Sequence, residues 1–125
     1  MIYLDTHVLP ALGRADLTLF SKEARHFLDR EPDIRISPMV VLELEYLREI
    51  KRLRESADVI VATLGAEIGL RVCDRSFEEV ARQATEESWT CDPFDRFIVA
   101  QARLAGAILI TRDTTIQARY NKAIA

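Results

Sequence analysis

Ile2-Tyr3-Leu4-Asp5 opens the chain, and Ala107-Ile108-Leu109-Ile110-Thr111-Arg112-Asp113 repeats its pattern far downstream. Each is a short apolar run that ends in polar residues, as strands covered on both faces of a parallel sheet do. Each leads to an aspartate. Ile34-Arg35-Ile36-Ser37 and Leu70-Arg71-Val72-Cys73 alternate in shorter form and read as two further strands. The stretches between them are periodic as helices are. Ser21 to Arg30 starts on a capping serine followed by Glu23, and Pro38 to Arg52 starts on a proline suited to a first turn. Ser56 to Glu67 follows, then Ser76 to Glu87, where Ser76 and Glu79 have the reciprocal capping spacing. Asp92-Pro93-Phe94-Asp95 opens a helix that runs to about Leu104, before Gly106. Strands alternating with helices imply an α/β sandwich with a mostly parallel central sheet.

The 125 residues, 49% of them hydrophobic, suit one core, so residues 1–125 are expected to form a single domain. No signal-like segment and no long apolar span stands out, which makes a cytoplasmic location without membrane contact the expectation. Cys73 and Cys91 are then expected to be ordinary buried or half-buried thiols. A net charge of −3 argues against a broad basic surface for nucleic acid, so any phosphate chemistry must be local.

Carboxylates stand where amphipathic helices should be apolar. Glu45, Glu49 and Arg52 form a solvent stripe, but Glu43 shares its stripe with Leu47 and Ile50, with Leu44 and Val40 alongside. A glutamate at the boundary, its stem packed and its head in water, is the alternative. Asp95 lies in line with Ile98, Val99 and Ala102, while Arg96 and Arg103 mark the outer face. Capping accounts for Asp92 and for the axial position of Asp95, but not for its apolar flank. Asp5 and Asp113 follow the two most hydrophobic strands, and the carboxyl ends of parallel strands border ligand crevices. Four ionised carboxylates gathered there would repel one another unless some are protonated or a cation opposes them. Oxygen ligation of that kind suits Mg²⁺ or Mn²⁺. His7 and His26 are too few for a typical zinc site. His26 is expected to be exposed, and His7 either starts a helix or reaches the site rim.

Four segments in this order are similar to those of PIN-domain nucleases, and most closely to VapC-type toxins of toxin–antitoxin pairs. They are Ile2-Tyr3-Leu4-Asp5-Thr6-His7-Val8-Leu9; Ile36-Ser37-Pro38-Met39-Val40-Val41-Leu42-Glu43-Leu44; Trp89-Thr90-Cys91-Asp92-Pro93-Phe94-Asp95-Arg96-Phe97-Ile98-Val99-Ala100-Gln101-Ala102; and Leu109-Ile110-Thr111-Arg112-Asp113. The resemblance implies a PIN-like three-layer sandwich and carries an acidic quartet onto Asp5, Glu43, Asp95 and Asp113, with Asp92 a rival to Asp95 as a metal ligand. Thr6 and Thr111 become supporting residues, and Arg96 and Arg112 become candidates for substrate phosphates. The implied activity is hydrolysis of RNA, possible substrates including transfer RNA, with Mg²⁺ or Mn²⁺ as cofactor. The implied partners are a VapB-like antitoxin and a second copy in a homodimer. Pro10-Ala11-Leu12-Gly13-Arg14 replaces the aromatic residues of many relatives, so the first helix is expected to start late or bend. The final edge strand is expected to be short. A receiver-type phosphoacceptor domain would need an acidic neighbour for Asp5, which is lacking, and a haloacid-dehalogenase-type phosphatase would need an aspartate where His7 stands. A non-catalytic module on the same fold stays open on sequence alone.

Overall fold

The two apolar runs that lead to aspartates lie side by side. In a computed structural model describing residues 1–125, β1 (Ile2–Leu4) pairs in parallel with β4 (Ile108–Ile110), Leu4 opposite Ile110. β2 (Ile34–Ile36) flanks β1, with β3 (Arg71–Val72) outside it, and β5 (Ala123–Ile124) flanks β4. The order β3-β2-β1-β4-β5 is parallel throughout. The central strands are apolar along their length because both faces are covered. Tyr3, Leu4, Leu109 and Ile110 are almost wholly buried.

The helices are α1 (Leu9–Gly13), α2 (Lys22–Arg30), α3 (Pro38–Glu49), α4 (Ala57–Ile68), α5 (Phe77–Ala84), α6 (Pro93–Ala105) and α7 (Thr114–Arg119). Connections step one way from β1 through β2 to β3, and the other way from β3 to β4 to β5. Right-handed crossovers therefore spread helices over both faces of the sheet. The direction reverses between β1 and β4, which puts the topological switch point beside Asp5.

Ser21, Ser76 and Asp92, read as caps from sequence, each accept a backbone N–H at a helix start, as do Ser37 and Ser56, and Gly106 ends α6 with φ of 61°. The reciprocal half of the Ser76–Glu79 pattern is not formed, because Glu79 pairs with Arg75. Several boundaries differ from expectation. α3 stops at Glu49, short of Arg52, because Lys51 turns to φ of 65° and the Arg52 and Leu53 amides return to the Leu47 carbonyl. Ile50 is thereby exposed instead of continuing the packed stripe. α5 ends at Ala84, short of Glu87, since Glu87 turns inward to bind Arg103 Nε at 2.7 Å and Trp89 Nε1 at 2.6 Å. β3 keeps only two of its four expected residues, both exposed at the sheet edge.

The first helix bends, as a 3₁₀ turn over Thr6–Val8 precedes α1. The last strand is short. α7 was not anticipated from sequence, because its only start signal is Asp113, which also reads as a loop residue. Both cysteines are free thiols, but Cys91 is exposed, not buried, since it lies in the loop before α6. His26 is exposed, and no helix is long and apolar enough to cross a membrane.

Leu4, with no exposed surface, anchors the central strand. Replacing Leu4 with Ala should cost about 2–5 kcal/mol, seen as a lowered urea midpoint with unchanged slope. A loss under about 1 kcal/mol would mean that β1 is not the packed centre.

Candidate active site

The register of β1 on β4 sets Asp5 against Thr111. The Asp5 backbone N–H donates to the Ile110 carbonyl at 3.0 Å, and the Thr111 hydroxyl donates to Asp5 Oδ2 at 2.6 Å. Asp5 Oδ1 accepts the Thr6 backbone N–H at 2.7 Å. Thr111 also reaches the next acid, since its Oγ1 accepts the Asp113 N–H at 3.0 Å. Asp113 in turn caps α7, accepting from Thr115 and Ile116 at 2.8 and 3.0 Å. One buried threonine thus holds the acids that end β1 and β4.

Two helices bring the other pair. Glu43 on α3 is 8% exposed, on the packed face where its stripe placed it. Asp95, in the first turn of α6, is half-buried, while Asp92 just before it is exposed and caps that helix through Phe94 N–H at 2.8 Å and Asp95 N–H at 3.4 Å. Tyr46 on α3 stacks on Phe94 of α6, centroids 6.3 Å apart, and this contact clasps the two helices one turn from Glu43 and next to Asp95.

These carboxylates act on one another. Asp95 is raised to about 7, first by burial and then by the charges of Asp92, Asp5, Asp113 and Glu43. Burial also pushes Asp5 up, against the hydrogen bonds from Thr111 and Thr6. Glu43 is pushed up by burial and by the charges of Asp5 and Asp92. His7 is exposed on the turn after Asp5, and its charge opposes the rise at both Asp5 and Glu43. It therefore sits at the rim. The Thr6 hydroxyl lies beside Glu43 and favours its ionised form, but Thr6 Oγ1 and Glu43 Oε1 are both buried without a partner at full hydrogen-bond geometry. Buried polar atoms are rarely left so, and an acceptor oxygen lacking a donor among acids that repel is the environment a hard cation relieves. No three of these side chains stand as a ready-made metal cage. Coulombic coupling reaches farther than coordination does, so the acids act on one another without forming a ready ligand set.

A profile of the PIN domain matches residues 2–122. The chain belongs to the PIN domain family. Solved structures similar to it over nearly its whole length include VapBC2 from Rickettsia felis bound to a promoter DNA fragment. That match has 18% identity and a TM-score of 0.66, and it covers 99% of this chain and 96% of the other. A toxin–antitoxin complex from Klebsiella pneumoniae matches with 19% identity and a TM-score of 0.66, covering 100% and 97%. DNA-bound VapBC from Salmonella typhimurium matches with 19% identity and a TM-score of 0.65, covering 98% and 94%. At such identities the likeness is one of fold. No curated protein sequence matches the chain.

Within this PIN domain the two arginines next to site acids differ. Arg96 donates its Nε to the Thr90 carbonyl at 2.7 Å, which ties it to the loop before α6. Arg112 is exposed, and its charge reaches Asp16, together with that of Arg14. The stacking of Tyr46 on Phe94 was not anticipated, because spacing within each helix carries no information about which ring meets which.

The raised Asp95 has a direct thermodynamic consequence. The native state holds its proton up to about pH 7, whereas the unfolded chain releases it near pH 4. Stability of the metal-free protein should therefore fall as pH rises between those values, with the penalty complete above pH 7. In metal-free buffer, Asp95→Asn should melt several degrees above the parent at pH 8, on the order of 4 °C per kcal/mol relieved, and level with it near pH 4. A lower Tm for the variant at pH 8 would contradict the crowding of charge.

Proposed function

We propose that this PIN domain is a metal-dependent endoribonuclease that hydrolyses RNA phosphodiester bonds, and that it acts as a VapC-like toxin neutralised by a VapB-like antitoxin. One observation carries the reading: acids from four separate elements meet at the sheet's switch point, and all of them raise Asp95. Proteins do not retain such repulsion for stability, and strongly perturbed carboxylates cluster at functional sites.

Asp5, Asp95 and Asp113 would hold Mg²⁺ or Mn²⁺, with Glu43 completing the set and Asp92 as a further ligand. A divalent cation bound by these residues would supply a lowered pKa for a bound water and positive charge against the reacting phosphoryl group. The chain's own residues prepare the rest. Thr111 fixes the orientation of Asp5 by the 2.6 Å hydrogen bond and orders Asp113 through its N–H. Thr6 does the same for Asp5 from the backbone and places its unpartnered hydroxyl beside Glu43. Glu43, whose Oε1 is free to accept, orients the attacking water. Arg112 would offer a guanidinium without a carboxylate partner to a substrate phosphate, as would the terminal nitrogens of Arg96.

The similar solved structures are of VapBC and toxin–antitoxin complexes, which supports a VapB-like antitoxin as partner. A homodimer, a cytoplasmic location and a structured substrate such as transfer RNA complete the proposal. Labelled RNA should be cut in Mg²⁺ or Mn²⁺ and left intact in EDTA. Residues that support metal ligands typically cost about 10- to 100-fold on mutation, so Thr111→Val should lose activity by that factor and Asp5→Asn by more. Equal cleavage by parent and Asp5→Asn would remove the nuclease reading.

A further inference from the structure

A nuclease of net charge −3, with acids crowded at its centre, must hold its polyanionic substrate somewhere else. Eight of the 17 basic side chains are already engaged. Arg35 and Arg71 pair with Asp33, Arg48 with Glu45, Arg75 with Glu79, Arg82 with Glu78 and Arg103 with Glu87. Arg96 and Lys122 bind backbone carbonyls. Among those left without a partner, Arg14, Arg52 and Arg54 line a single groove of about 570 Å³ between α1 and the loop joining α3 to α4. Glu55 is the only acid in its wall, and Leu53 and Val59 supply aliphatic surface.

We infer that this groove is an anchoring site for the phosphate backbone of the RNA substrate, separate from the acids and feeding them. The inference rests on the nuclease reading. Guanidinium groups fork onto phosphate oxygens, and the aliphatic wall accepts the apolar faces of a splayed nucleotide. Lys51, next to Arg52 and without a partner, adds to the positive field. The groove is also joined to the acids by structure. α1 follows Asp5 within one short turn, and Glu43 lies 49 − 43 = 6 residues before the end of α3, about 9 Å at 1.5 Å per residue. Arg112, beside Asp113, and Arg14, in the groove, both act on Asp16.

The test is fluorescence anisotropy of a labelled single-stranded RNA oligonucleotide against salt, in EDTA so that no cleavage occurs. Parent protein is compared with Arg14→Ser/Arg52→Ser/Arg54→Ser. A control carries Lys22→Ser/Arg25→Ser/Arg30→Ser, which removes three equally unpaired charges from α2. At about 0.7 per phosphate contact, the slope of log K against log salt should shrink by about 2 in the groove variant, with affinity down on the order of tenfold. Each single groove substitution should remove about 0.7. The α2 control should keep the parent slope, and melting curves establish that all variants fold. Equal slopes in the groove variant and the parent overturn the inference, as does an equal loss in the α2 control. Loss of binding to poly-glutamate with RNA binding intact would also overturn it, by assigning the groove to an acidic protein. These readings do not involve catalysis. Hydrolysis of bis-p-nitrophenyl phosphate, too small to span both sites, should be unaltered by the groove substitutions. Its absence in the parent would count against the nuclease reading alone.

Discussion

Everything at the site depends on the parallel pairing of β1 with β4. That register sets Leu4 against Ile110, and so Asp5 against Thr111. A slip of one residue would turn every side chain of β1 to the opposite face. It would take Asp5 away from the Thr111 hydroxyl and bury it without a donor. The switch in strand order falls on the same pair, the place where open parallel sheets bind their ligands. The core and the site therefore share one constraint. Ile2, Leu4, Leu109 and Ile110 hold the register by packing, and Thr111 converts it into an oriented carboxylate.

The helices add charge where packing alone would not. Val40, Leu44 and Leu47 bury one face of α3, and Glu43 is carried in with them. Asp95 enters on the apolar flank of α6, held by the Tyr46–Phe94 stack and by the Asp92 cap. Burial and mutual repulsion both favour the protonated carboxyl there, which sets the metal-free site against ionisation. The proposed cation resolves the conflict from the other side, by supplying positive charge that makes ionised acids favourable.

The sequence was most informative where a local pattern carries a physical demand. Strands that must be apolar on both faces, serine and aspartate caps and the glycine after α6 all appear where their chemistry requires. Glu43 and Asp95 were legible because they break helical amphipathicity, and burial of Glu43 follows from the same stripe. Non-local facts were not legible. The end of α3 is decided by Lys51 in a left-handed turn, and the end of α5 by the attraction of Glu87 to Arg103. α7 was hidden because Asp113 serves as loop start, cap and proposed site acid at once. The arginine groove combines Arg14 with Arg52 and Arg54, and the run Lys51-Arg52-Leu53-Arg54 was its only trace in one dimension.

Acid centre and basic groove divide the electrostatic labour of an acidic chain: one place for the proposed ion, another for the polyanion it would act on. The central claim is that crowded carboxylates exist to bind a divalent cation. The most direct measurement is calorimetric titration of Mn²⁺ into the protein near pH 6.5 in buffers of different ionisation enthalpy, which counts protons exchanged per ion bound. With Asp95 protonated up to about 7, binding should release on the order of one proton per ion, since ligands must ionise. Binding without proton release, or no binding at millimolar Mn²⁺, would contradict the account.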